Sequence, residues 1–98
     1  MGKYLVLWKV EQSRLPIDPK ERGAGLGALL AKVKQDIEKG KVKDWGNFVG
    51  EARGYDVFEG TELELMNTLQ QFVPFVSFEV HQVASLSQAE EMIKALAG

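Results

Sequence analysis

The sequence predicts a single α+β domain with strands and helices in the order βαββαβ and a further helix at the C-terminus. Three observations carry this. Four short runs rich in β-branched and aromatic residues alternate with runs whose apolar residues recur every three or four positions. Each helical run opens on a capping signal: Asp18 before Pro19, Thr61 with Glu64, and Ser87 with Glu90. Several strands also carry large side chains on both faces, so helices that cover one face leave the other to meet a second copy of the chain or a ligand.

The first strand is Lys3 to Val10, with Tyr4, Val6, Trp8 and Val10 on one face and Leu5 and Leu7 on the other. A strand apolar on both faces belongs in the middle of a sheet. The polar run Glu11-Gln12-Ser13-Arg14 closes it, and a loop through Pro16 leads to Asp18-Pro19-Lys20-Glu21, which supplies an N-cap, a proline at the first helical position and a capping-box glutamate. The first helix has the stripe Leu26, Leu29, Leu30, Val33 and Ile37, and Gly40 is its expected stop. Gly23, Gly25 and Gly27 weaken its first turns, each by about 1 kcal/mol against alanine. They serve either close helix packing, which we favour, or a flexible lip over a cavity. As a phosphate loop the run has the wrong spacing and lies too far behind the strand.

Val42 to Val49 and Arg53 to Glu59 read as an antiparallel pair joined through Gly50, with Gly54 at the start of the second partner. Alternation from Val42 puts Gly46 and Phe48 with it on the helix side and leaves Trp45 and Asn47 on the open side. On the next strand Phe58 faces the following helix, so Arg53, Tyr55 and Val57 join the open face. The second helix begins at Thr61 and Glu64, carries Leu65, Leu69, Phe72 and Val73, and stops at Pro74. In the last strand, Phe75 to Val83, Val76, Phe78 and Val80 turn to the helices and Ser77, Glu79 and His81 turn away. The final helix starts at Ser87 and has the stripe Ala89, Met92, Ile93 and Leu96. With right-handed crossovers this order gives a four-stranded antiparallel sheet of strand order 4-1-3-2, the ferredoxin-like arrangement.

Composition narrows the partners. Ninety-eight residues, 45% apolar and 27% charged, make one domain over residues 1–98 with no second core. A domain this small gains stability if a dimer hides one sheet face. The net charge of −2 lacks the basic surplus that phosphate binding needs, so no nucleic-acid partner is expected. The absence of cysteine excludes disulfides, thiolate metal ligation and a cysteine nucleophile, and a reducing cytoplasm is the simplest location. The apolar stretch Tyr4 to Trp8 is too short for a membrane span or secretory core, so no membrane partner is expected. The lysines Lys32, Lys34, Lys39, Lys41 and Lys43 complement the end of a helix dipole and protect an edge strand.

The open face is thus aromatic with a few polar groups, a composition shared by dimer interfaces and small-molecule pockets. Trp8, Trp45, Asn47, Arg53, Tyr55 and Ser77 are its candidate cavity lining. His81, the sole histidine, and Glu79 two residues before it on the same strand face are a candidate acid and base. The bland alternative is a histidine that hydrogen-bonds across a dimer seam, and it has the greater weight. Asp56 on a central strand either pairs with a base such as Lys9 or Arg53 or lines a wet cavity; it stands with His81 as a candidate for chemistry. One histidine without cysteine makes a metal site unexpected, and nothing points to a cofactor.

Three segments, Lys3-Tyr4-Leu5-Val6-Leu7-Trp8, Gly54-Tyr55-Asp56-Val57-Phe58-Glu59-Gly60 and Val73-Pro74-Phe75-Val76-Ser77-Phe78-Glu79-Val80-His81-Gln82-Val83, resemble the dimeric α+β-barrel superfamily. Muconolactone isomerase and cofactor-free monooxygenases belong to that superfamily, and within it the chain is most similar to a small prokaryotic family of unknown function. The resemblance implies a homodimer through the helix-free sheet face, with a cavity between the stacked sheets. The expected function is a binding or structural role. The alternative is an isomerase or cofactor-independent oxygenase acting on an aromatic or lactone-like compound. RNA-recognition motifs share the βαββαβ order, and Arg53-Gly54-Tyr55 matches the start of their third-strand signature. Asp56, Val57 and Glu59 then break it, and acids beside a stacking platform repel phosphate.

Overall fold

The computed structural model of the protein describes residues 2–98. Its strands are β1 (Gly2–Val10), β2 (Val42–Asn47), β3 (Arg53–Gly60) and β4 (Val76–Val83). Its helices are α1 (Pro19–Glu38), α2 (Glu62–Gln70) and α3 (Leu86–Ala97), and a 3-10 turn at Gln12–Arg14 follows β1. The strands form one antiparallel sheet in the order β2-β3-β1-β4, which is 4-1-3-2 read from the other edge. The fold is α+β and compatible with the ferredoxin-like arrangement; the sheet is open and does not close into a barrel.

Local chemistry accounts for the helix starts. The Asp18 carboxylate accepts from the Glu21 backbone N–H at 3.1 Å and Pro19 fills the first position of α1, as the sequence predicts. Thr61 and Glu64 form the reciprocal capping box of α2, and Glu64 also pairs with the Lys41 ammonium. Those bonds hold the Glu64 carboxyl down at about 2, with the Lys41 bond the largest cause. The cap of α3 lies two residues earlier than predicted, on Ser85 and Gln88 in place of Ser87 and Glu90. The hydroxyl that wins is the one preceding Leu86, so the helix takes in another apolar residue.

The core lies between the sheet and α2. Tyr4, Val6, Val42, Phe58 and Leu65 form one buried cluster, and Trp8, Phe72 and Val76 form a second that reaches Leu29 and Val33 of α1. Phe72 meets Phe78 edge to face, with centroids 6.2 Å apart. Only part of the predicted α1 stripe is covered: Leu29 and Val33 are half-buried, Leu26, Leu30 and Ile37 stay exposed, and the one buried residue of this helix is Asp36. In β4, Val76 is buried and Phe78 half-buried, but Val80 is exposed.

α1 is continuous through its three glycines. A Cβ at Gly23 or Gly27 would meet nothing within 4 Å, and at Gly25 only the Leu15 side chain at 3.7 Å. Close helix packing therefore does not account for Gly23 and Gly27, contrary to the favoured expectation. α3 has no buried residue, and Leu86, Met92, Ile93 and Leu96 are 59–81% exposed. The molecule is accordingly elongated, 62 × 26 × 19 Å.

Candidate functional site

The pairing register decides which residues meet. Against β1, Trp8 stands opposite Gly54, Val6 opposite Asp56 and Tyr4 opposite Phe58, so these six share the helix face. β2 reaches the same face by an irregular route: Val42 pairs with Phe58, the register then slips between Val42 and Asp44, and Trp45 falls opposite Asp56 and Asn47 opposite Gly54. This bulge reverses the phase of the strand. Trp45 and Asn47 are therefore on the helix side, and Gly46 is opposite Tyr55 on the open side, the reverse of simple alternation from Val42.

Between α1, α2 and this face lies a cleft of about 250 Å³, partly open to solvent. Its aromatic wall is the stacked pair Trp8 and Trp45, with centroids 5.4 Å apart and planes 10° from parallel. The Trp8 indole Nε1–H donates to the Tyr55 carbonyl at 3.2 Å, which fixes the ring. Leu26, Leu29, Leu30 and Val33 line the α1 side, and Phe72 and Phe78 line the far side. The polar groups at its edge are Asp36, Asp56, Asn47 and Thr68. The Asn47 amide is committed to the β2–β3 turn, donating to the Phe48 and Glu51 carbonyls at 2.9 and 3.0 Å.

Two carboxyl groups thus share an apolar enclosure. Burial, and after it the negative charge of Asp36, push the Asp56 carboxyl up from 3.8 to about 7. Burial also raises Asp36, which is 4% exposed, against the opposing effects of the Gln71 amide, donating at 3.4 Å, and of Lys39. Asp56 does not pair with Lys9 or Arg53 as the sequence suggested. Those two residues stand opposite each other on β1 and β3 with the alternate parity, so both point to the other side of the sheet. The salt bridges among the described residues are Lys41–Glu64 and His81–Glu79.

The predicted candidates are divided by the sheet. Trp8, Trp45, Asn47 and Asp56 come together at the cleft. Arg53, Tyr55, Ser77, Glu79 and His81 lie on the helix-free face. There the His81 Nε2 and a Glu79 carboxylate oxygen are 2.7 Å apart, both side chains largely exposed, and the Tyr55 hydroxyl donates to Asp44 at 2.8 Å. Leu7, Lys9, Glu51, Arg53, Ser77 and Glu79 border a shallow second hollow on that face, of about 340 Å³. His81 and Asp56 therefore cannot act on one substrate atom within a subunit.

Asp36 was not among the predicted candidates. Its signal was its spacing: it lies three residues after Val33 and seven after Leu29, on the inward edge of the α1 stripe. Among the described residues, no group of three or more histidine, aspartate or glutamate side chains converges as a metal site would require. No helix of the described residues is long and apolar enough to cross a membrane. No family model and no curated protein matches this chain.

Proposed function

We propose that the protein is a homodimer of the α+β-barrel kind whose subunits each bind one small, largely apolar ring compound in the helix-side cleft. The observation that carries this reading is the cleft itself: about 250 Å³, walled by two stacked indoles and leucines, with two carboxyl groups in its lining. A few polar groups in an apolar enclosure are the usual make-up of a ligand site. The volume suits one or two rings, since a cavity of about 150 Å³ holds benzene. The site of binding is thus inside each subunit and not between stacked sheets.

Two features support the dimer. Leu5, Leu7 and Val57 form a half-buried apolar strip on the helix-free face. α3 carries four exposed apolar side chains with no counterpart in its own chain, and the radius of gyration, 16.4 Å, exceeds the roughly 13 Å of a compact domain this long. A second copy would cover both.

Native mass spectrometry of freshly purified protein tests this reading. A two-subunit species that carries small-molecule adducts, lost in a Leu30→Trp variant that fills the mouth of the cleft, is the expected result. A bare single subunit would contradict it. A second reading, a proton-transferring isomerase, draws on Asp56, whose carboxyl near 7 suits both giving and taking a proton at neutral pH. Turnover of the adduct, abolished by Asp56→Asn, would select it over simple binding.

A further inference from the structure

The charge of the cleft restricts what enters it. Both titratable groups in its lining, Asp36 and Asp56, are acids, and the lining contains no lysine, arginine or histidine. Asp56 lies on β3 directly between Val6 and Trp45, and Asp36 reaches in from α1, so the two carboxyls come from opposite walls. Lys39 acts on Asp36 from the end of the same helix, the Gln71 amide from the turn after α2 donates to Asp36, and the Lys32 ammonium is bonded to the Gln71 carbonyl at 2.9 Å. Among the described residues, no basic group pairs with Asp56.

An anionic compound would bring a third negative charge into a poorly solvated space and is disfavoured on Coulombic grounds. A neutral ring would satisfy the indoles but leave the Asp56 carboxyl without a counter-charge. A cation answers both walls at once, because an ammonium pairs with carboxylates and is attracted by the negative faces of tryptophan rings.

Building on the ligand cleft proposed above, we infer that its ligand is a hydrophobic amine: one or two rings against Trp8 and Trp45, with the ammonium held between the Asp36 and Asp56 carboxyls. The ammonium binds the ionised pair, so binding releases the proton that Asp56 retains near neutral pH. Affinity therefore rises as pH increases through 7.

Calorimetric titration with three probes of like shape tests this: phenethylamine (cationic), phenethyl alcohol (neutral) and hydrocinnamate (anionic). The expected result above neutral pH is that the amine binds at least about tenfold more tightly than the alcohol, with no detectable binding of the acid. The amine-to-alcohol ratio should shrink as pH falls below 7 in the wild type, whereas in Asp56→Asn it should be smaller than in the wild type above neutral pH and lose most of that slope. The pH arm needs no variant, so it stands even if that substitution unfolds the chain. Equal affinity for amine and alcohol would overturn the charge assignment and leave the cleft in place. Failure of all three probes to bind would remove both.

Discussion

The indoles of Trp8 and Trp45 stack at 5.4 Å although they come from β1 and β2, strands that are not neighbours. β3 runs between them, and the rings meet above it because the residue opposite Trp8 is Gly54. A Cβ at Gly54 would lie inside contact distance of both the Trp8 ring and the Gly46 carbonyl oxygen. The absence of one side chain on the central strand thus creates the aromatic wall of the cleft.

Gly54→Ala should therefore separate the two indoles and cost about 3 kcal/mol of stability through overpacking against backbone. Chemical denaturation measures the loss, and disappearance of the coupled tryptophan band in circular dichroism reports the broken stack. An unchanged band would show that the rings do not need this gap.

The glycines of α1 should behave in the opposite way. Gly23 and Gly27 are helical with open space around the added carbon, so alanine at either position should stabilise the protein by roughly 0.5–1 kcal/mol. Thermal melts of the single and double variants check this, and destabilisation would reveal a contact that α1 makes elsewhere.

Asp56 makes stability depend on pH with a definite sign. Its folded-state carboxyl, near 7, is raised above the ordinary 3.8, so the native state holds a proton that the unfolded chain has lost. That contribution is present below about pH 4 and is lost as pH rises to 7. Asp56→Asn should remove this slope, making the variant more stable than wild type above neutral pH by roughly 1–3 kcal/mol after allowance for partial solvation. Denaturation curves across that range give the difference, and parallel wild-type and variant profiles would contradict it.

The proposed dimer gives a paired prediction on two surfaces. Leu7→Lys on the helix-free face and Ile93→Ser on α3 should each raise the dimer dissociation constant about tenfold or more. Sedimentation equilibrium measures this directly. Neither residue belongs to the buried core of its own chain, so circular dichroism of the dissociated variants should remain that of a folded subunit.

The order of elements was legible because it rests on local signals: Asp18-Pro19, the Thr61 and Glu64 box, and the alternation of Val76 to His81 each act within a few residues. The position of the site was not, and the reason is specific. One slipped residue near Lys43 turns Trp45 and Asn47 to the helix side, and although Gly46 hints at an irregular strand, it does not say where the slip falls. With Trp45 misplaced, Asp56 lost its neighbour and Asp36 had no partner to draw attention to it. α3 was read correctly as amphipathic, but its apolar side finds no burial within its own chain, and periodicity alone does not encode what a stripe packs against.

In the proposed function, the cleft beneath α1 receives a small ring compound. Chemical-shift mapping of isotopically labelled protein with phenethylamine tests it most directly, because the two faces of the sheet carry separate reporters. Binding in the cleft should move the Trp45 indole, Leu26, Leu30 and Asp56 and leave Lys9, Arg53 and Glu79 unmoved. Shifts confined to Lys9, Arg53, Ser77 and Glu79, or no shifts at all, would contradict it.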